Sequence, residues 1–391
     1  MHKYNPILLL VDDSDANLEN LKGVLKRYTI LTANNGNDAI KIATSEPRPH
    51  LILLDVIMPD MDGFETCRIL KERVASRNIP VIFITGHDEA NNILKGFEAG
   101  AVDYITKPLN IPELDARVKT QLTIEKARRQ NQRLMQKLEM ANNQLIDSLR
   151  YAQKIQNASL PKTSYLNKVM PEHFVLFKPR DIVSGDFYWV SEVDGRLLIV
   201  VADSTGHGVP GAIMSMFGVA HLNQIVGYKR ETKPSQILNL LREIVIDSFQ
   251  QTEISEIKDG MDISILSIDS SNKSIEFAGA FNPLYIIRDN KIIVLPADRM
   301  PVSIGEVCQP FKNHAIPYKK GDVMYLFSDG YASQFGGPDD RKIMTTGLKK
   351  LILKYHAFSM SEQKMIYDNF FEDWKAGEDQ IDDVLLMGLR L

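Results

Sequence analysis

The sequence predicts a multidomain α/β chain: a parallel α/β domain over residues 1–124, a helical connector over 125–160 and an α+β domain over 161–391. Three observations predict it. In the first third, short apolar runs alternate with helix-period segments, and each run ends in a polar cluster. From Glu113 to Ser159 there is neither proline nor glycine. In the remainder, five acidic motifs stand far apart in sequence: Gly185-Asp186, Asp203-Ser204-Thr205-Gly206-His207-Gly208, Asp259-Gly260-Met261-Asp262, Ser328-Asp329-Gly330 and Asp382-Asp383.

The first domain builds from its apolar runs. Ile7 to Val11 ends in Asp12-Asp13, and His50 to Leu54 ends in Asp55 with Met58-Pro59 beyond. Val81 to Ile84 ends in Thr85, and Tyr104 to Thr106 ends in Lys107-Pro108. Helix-period segments lie between: Ala16 to Lys26, Asp38 to Thr44, Gly63 to Val74 and Glu89 to Ala99. Strand and helix alternating at this spacing means βαβ units and a parallel sheet, buried on both faces. Such sheets carry their site at the carboxyl ends of the strands, where all four polar clusters fall.

These residues resemble a response-regulator receiver domain, over about residues 4–124. The resemblance implies a flavodoxin-like (βα)5 fold with Asp55 as phosphoacceptor, and Asp12 and Asp13 holding Mg²⁺ beside it. A carboxylate attacks phosphorus only when a cation offsets repulsion between the two anions. By the same resemblance Lys107 pairs with the transferred phosphoryl group, Thr85 donates its hydroxyl to it, and Tyr104 is the switch aromatic. A sensor histidine kinase is the implied donor.

The connector reads as one long helix continuing the last receiver helix. Apolar or small residues recur at spacings of 3 and 4: Ile124, Ala127, Asn131, Leu134, Leu138, Ala141, Leu145, Ser148, Ala152 and Ile155. This is a heptad seam, weakened by Asn131 and Ser148, which fix register at a cost in stability. It predicts a coiled-coil homodimer through residues 124–159; the alternative is that the seam packs on the chain's own domains. Pro161 stops the helix.

In the last part, Leu197 to Ala202, Val323 to Phe327 and a weaker stretch before Asp186 read as strands that deliver acids to one place. Carboxylates gathered this way suit hard cations such as Mg²⁺ and Mn²⁺; solvated turn acids are the alternative. Gly185 to Trp189, Asp203 to Gly211, Ser328 to Gly330 and Asp382-Asp383 together resemble the SpoIIE/RsbU-like branch of the bacterial PPM-type serine/threonine phosphatases, over about residues 165–391. The resemblance implies a β-sandwich flanked by helices and two Mn²⁺ or Mg²⁺ ions bridged by Asp203. The Ser204 carbonyl completes one sphere, Asp329 and Asp382 hold the second ion, and Asp186 contacts the first directly or through water. Water held between the ions is the implied nucleophile, and a phosphorylated anti-sigma-factor antagonist or similar partner-switching protein the implied substrate. His207 is either the general acid or a prop for its glycine turn. Ser333 departs from the family, which carries an acid there that serves a third metal.

Composition bounds the rest. Of 391 residues, 44% are hydrophobic and 25% charged, and the net charge of −4 argues against general affinity for nucleic acid or anionic membrane. Two cysteines, Cys67 and Cys308, make no disulfide framework or zinc spacing and suit a reducing cytoplasm. The start, Met1-His2-Lys3-Tyr4, runs straight into the first strand, and no apolar run approaches the ~20 residues of a membrane helix. Two functions remain: a phosphorylation-controlled phosphatase in the cytoplasm, or a phosphatase-like domain that serves as a phosphorylation-gated binding adaptor.

Overall fold

A computed structural model describes residues 5–86, 90–250, 260–303 and 309–391. Met1 to Tyr4, Glu89, Asp259 and Cys308, named above, lie outside the described residues. The chain forms two compact units, Met1–Asn142 and Asn143–Leu391.

The first unit runs β1 (Ile7–Val11), α1 (Asp15–Val24), β2 (Thr29–Ala33), α2 (Gly36–Thr44), β3 (Leu51–Asp55), α3 (Gly63–Glu72), β4 (Val81–Thr85), α4 (Ala90–Glu98) and β5 (Asp103–Thr106), then enters α5 (Ile111–Ser159). The sheet is wholly parallel, in the order β2-β1-β3-β4-β5. Alternate residues of each central strand feed opposite cores: Leu9, Val11, Ile52 and Leu54 one, Leu8, Leu10, Leu51 and Leu53 the other. That two-sided burial is why the runs are continuously apolar. β2 lies at the sheet edge, with only Ala33 of its five residues buried, so it lacks the apolar run that marks the others.

Leu114, Val118 and Leu122 of α5 pack into the second of these cores. From residue 126 to residue 155 no side chain of α5 is buried. The seam residues Leu134, Leu138 and Leu145 are all exposed. The helix is continuous, as the absence of proline and glycine predicts.

The second unit continues with α6 (Thr163–Val169), β6 (His173–Lys178), β7 (Phe187–Val193), β8 (Arg196–Ser204), α7 (Gly208–Leu222) and a π-helical turn (Asn223–Tyr228). Then come α8 (Pro234–Gln250), β9 (Met261–Asp269), β10 (Ser274–Ala280), β11 (Leu284–Arg288), β12 (Lys291–Leu295), β13 (His314–Pro317), β14 (Val323–Phe327) and α9 (Gly330–Ser333). A short ribbon of β15 (Phe335–Gly336) and β16 (Arg341–Lys342), α10 (Met344–Tyr355), α11 (Met360–Lys375) and β17 (Val384–Arg390) complete it. Two antiparallel sheets, β13-β10-β9-β8-β7 and β12-β11-β14-β17-β6, make a sandwich. Strand period fixes the layers. Ile199 and Val201 face Leu326, Leu385 and Met387 between the sheets, while Leu198, Val200 and Ala202 turn outward onto α7 and α8. On the far side Tyr325, Phe327 and Leu386 pack under α10 and α11.

Two expectations need correction. The strand before Asp186 is β6, but it does not run up to the acid: it ends at Lys178, residues 179–186 form a loop, and Asp186 stands immediately before β7. One helical run, Gly208–Tyr228, has 21 residues and a mean hydropathy of 1.2, long and apolar enough to cross a membrane by length and composition. Half of it is buried, and Met214, Val219, Leu222 and Ile225 sit in the core against β8 and β9, which accounts for its apolarity.

Candidate active sites

Parallel pairing in the first unit lines up the ends of β1, β3, β4 and β5, and the polar clusters follow. Asp12 is buried just past β1, with Oδ1 accepting from the Ser14 amide and the Asn17 side chain, both at 2.9 Å. Asp13 is exposed, and Asp55 ends β3, buried. Ligand oxygens of these three aspartates lie within 4.8 Å of one another. Lys107 Nζ donates to Asp55 Oδ2 at 2.9 Å and to Asp12 Oδ2 at 3.3 Å. Burial, reinforced by Asp12, raises the Asp55 pKa, and the Lys107 bond works against that rise. Burial would lower the Lys107 pKa, but its bonds to Asp55 and Asp12 leave it raised.

Thr85 ends β4 with its hydroxyl 3.5 Å from the Gly86 carbonyl, and Tyr104 is half-buried in β5 with its ring edge-on to Phe97. The Arg117 guanidinium lies 5.9 Å from the Tyr104 ring centre and pairs with Asp103 at 2.6 Å. Arg117 thus ties the start of α5 to the strand that carries Tyr104. Sequence reasoning missed it, because an arginine on a polar helix carries no local signal.

In the second unit the acids arrive from four directions. Asp203 lies near the end of β8 and Asp262 directly opposite it in β9. Like charges facing each other across a strand pair are destabilising unless offset. Asp329 caps the short helix α9 after β14, and Asp382 comes just before β17. These four, with Ser204 and His207, line one cavity of about 440 Å³. Asp186 is not on its lining. It is fully buried, with Oδ2 accepting from Ser328 Oγ at 2.5 Å and Oδ1 without a partner among the described residues.

Burial and mutual repulsion dominate the electrostatics. Burial, then Asp186, Asp329, Asp382 and Asp262, push the Asp203 carboxyl up to about 10. Burial and Asp329 push Asp262 up to about 6. Burial raises Asp186 well above the carboxylate range, and raises Asp382 too. Among the described residues none of these acids forms an ion pair. His207 Nδ1 meets Asp181 Oδ2 at 3.0 Å, with both side chains largely exposed. Ser333 Oγ donates to Asp329 Oδ2 at 3.3 Å.

The backbone around the site is tight. A Cβ on Gly185 would stand 2.7 Å from the Gly206 carbonyl oxygen and 3.0 Å from that of Ser204, so only glycine allows the loop to pass there. Asp383, beside Asp382, accepts from the Arg180 and Gly185 amides, each at 2.7 Å. Two further features carried no assigned role from sequence: Asp383 as a loop anchor and Asp262 as a cavity acid. For Asp262 the signal was an acid inside an otherwise apolar strand.

Comparison with known proteins places both units. The response regulator receiver domain family matches residues 8–119. A probable cyclic di-GMP phosphodiesterase of Vibrio cholerae is 41% identical over 116 residues, 29% of this chain and 26% of that protein. The response regulator PleD of Caulobacter vibrioides is 43% identical over 115 residues, 29% of this chain and 25% of PleD. The chain therefore spans about a quarter of the length of these curated relatives. The solved SiaA-PP2C domain of Pseudomonas aeruginosa is 29% identical with a TM-score of 0.59, covering 64% of this chain and 98% of that one. The family of stage II sporulation protein E (SpoIIE) matches residues 193–391. That match spans more than half of the 391 residues, and the chain belongs to the SpoIIE family, with a response regulator receiver domain preceding its SpoIIE region.

Proposed function

We propose that this chain is a two-component response regulator in which phosphorylation of Asp55 controls a metal-dependent protein serine/threonine phosphatase. One observation carries the reading: Asp203, Asp262, Asp329 and Asp382 converge on a single cavity, and the buried Asp186, whose charge bears on Asp203, keeps one oxygen without a partner among the described residues. Oxygen donors held against their own repulsion fit divalent hard cations, which offset the charge that burial and proximity oppose. Asp203, the Ser204 carbonyl, Asp329, Asp382 and Asp186 would hold two Mn²⁺ or Mg²⁺ ions. When bound, such ions lower the pKa of water and offset phosphoryl charge. His207, at the cavity wall with Nδ1 beside Asp181, would give its Nε2 proton to the leaving seryl oxygen, or else would hold its glycine turn.

In the receiver site, Asp12, Asp13 and Asp55 would hold Mg²⁺ while Asp55 accepts phosphoryl from a sensor histidine kinase. Lys107 and Thr85 meet the transferred group, and Tyr104 reports it to α5 through Arg117. The exposed seam of residues 124–159 supports a homodimer. Replacing Leu138 and Leu145 with glutamate should give monomers by light scattering; an unchanged mass sinks the coiled coil. The substrate proposed is a phosphorylated anti-sigma-factor antagonist or similar partner-switching protein, met in the cytoplasm.

The test is hydrolysis of an aryl phosphate with Mn²⁺ by the wild type, by Asp203→Asn, and by the wild type carrying a beryllofluoride mimic of phospho-Asp55. Activity that needs Asp203 and moves with the mimic supports the proposal. Absence of hydrolysis in every state, with metal binding also absent, turns the reading to a binding adaptor.

A further inference from the structure

We propose that Gln156, in the last turn of α5, is a positioning residue that holds Asp186 in place for metal binding. This rests on the metallophosphatase reading and adds the means by which the connector helix touches that site. Gln156 is buried, 3% exposed, in a helix otherwise unburied for thirty residues before it. Its amide is used in both directions. The Ser184 amide donates to Oε1 at 3.1 Å, and Nε2 donates to the Ser184 carbonyl at 2.5 Å and to Ser215 Oγ at 2.8 Å. The side chain thus stands in for a neighbouring strand, pairing both the N–H and the C=O of one residue, Ser184.

The pinned residue leads directly to the metal acid. Ser184 Oγ accepts from the Asp186 amide at 3.1 Å. Residues 179–186 pair with no strand, so buried amides here need side-chain partners. The structure supplies two clamps. Asp383 takes the Arg180 and Gly185 amides from one flank, and Gln156 takes Ser184 from the other. Asp383 comes from the site's own strand lead-in, whereas Gln156 comes from the connector. Without Gln156 the Ser184 N–H loses its partner and the Ser184 carbonyl keeps only Ser215 Oγ at 3.4 Å, which loosens the backbone that carries Asp186. Any turn or slide of the helix end moves the same peptide.

The experiment is Mn²⁺ titration of the full chain by calorimetry, in an Asp12→Asn background that silences the receiver site. Gln156→Met keeps the volume and removes all three bonds; it should weaken Mn²⁺ binding about 10- to 100-fold, the usual cost of losing a partner that orients a ligand. Hydrolysis at saturating Mn²⁺ should return to within a few-fold of the parent. Gln156→Glu keeps the acceptor for the Ser184 amide and should fall between; it also carries the comparison if the methionine variant fails to fold. Leu160→Ala, a core truncation in the same segment, should lower the melting temperature and leave Mn²⁺ affinity unchanged. Parent-like Mn²⁺ binding by a folded Gln156 variant overturns the proposal, as does equal weakening by Leu160→Ala. A parent protein that binds Mn²⁺ and hydrolyses nothing defeats the phosphatase reading alone.

Discussion

The two acidic sites of this chain solve the same electrostatic problem in opposite ways. The receiver site gathers three aspartates and places a lysine among them, with Lys107 Nζ 2.9 Å from Asp55 and 3.3 Å from Asp12. The phosphatase-like site gathers five acids, and among the described residues none of them has an ion-pair partner. The first is neutralised in part by the protein itself, so a cation there competes with a resident charge. The second has no such partner among the described residues, and on the proposed reading cations from outside would offset its charge.

The largest effect should come from breaking the second arrangement at its centre. Asp203→Asn removes the carboxylate that faces Asp262 and touches the field of every other acid in the cavity. Hydrolysis should fall by roughly 10³-fold, about 4 kcal/mol of barrier. The same change should raise the melting temperature of metal-free protein near neutral pH, because asparagine escapes the penalty that burial, and then the neighbouring acids, put on ionising this carboxyl. Loss of activity together with loss of metal-free stability would show that Asp203 is structural and would break the comparison.

The pH dependence sharpens it next. Asp203 is held up to about 10 and Asp262 to about 6, and in an unfolded chain both would titrate near 4. Between those values the folded state binds more protons than the unfolded state. Stability of metal-free protein must therefore fall as pH rises from about 4 toward 10, by about 1.4 kcal/mol per pH unit for each excess proton. Saturating Mn²⁺ should flatten that slope, and its binding at pH 7 should release protons, seen as heats that vary with buffer. A pH-independent unfolding midpoint between pH 5 and 9 in EDTA would mean the acids are already neutralised by other groups.

How legible each site was follows from the same contrast. The receiver site lies where apolar strands end, and Val11, Leu54 and Ile84 are buried on a two-sided sheet, so the runs and their terminal acids stand out. Only β2 escaped, because Thr29 to Ala33 is an edge strand with one buried residue. The phosphatase-like site joins two strand residues, Asp203 and Asp262, to acids on loops, and the Asp186 loop is ordered by distant side chains. Asp186 read as a strand-end acid, yet Gln156 and Asp383, 30 residues before and 197 after it, fix its loop. No periodicity records such bonds, and Gln156 itself looks like any polar residue of a solvated helix. Asp262 was visible as an acid and silent as to role until the register set it opposite Asp203.

A smaller effect tests the resident cation. Lys107→Met should tighten Mg²⁺ binding at the receiver site about 10-fold, since a competing charge a few ångströms away is removed. It should also cost about 1 kcal/mol of metal-free stability, a modest figure because the lysine is one-third exposed. Weaker Mg²⁺ binding in this variant would show that Lys107 shapes the site more than it competes for it.

The smallest expected change concerns Ser333, one turn after Asp329 on α9, where the resembling family carries an acid. The serine hydroxyl donates to Asp329 Oδ2 at 3.3 Å, so it already faces the cavity acid it would otherwise join as a ligand. Ser333→Asp adds a carboxylate beside the exposed Asp329, which lowers metal-free stability by about a fraction of a kcal/mol. It also offers a hard cation another oxygen donor, and a carboxylate binds such ions far better than a hydroxyl. Turnover at limiting Mn²⁺ should rise a few-fold and converge with the parent at saturation. A fall at every Mn²⁺ concentration would mean that the Ser333 to Asp329 hydrogen bond, and no missing ligand, is what this position contributes. The cavity would then be complete with the acids it has, and the contrast with the lysine-tempered receiver site would rest on Asp203 and its neighbours alone.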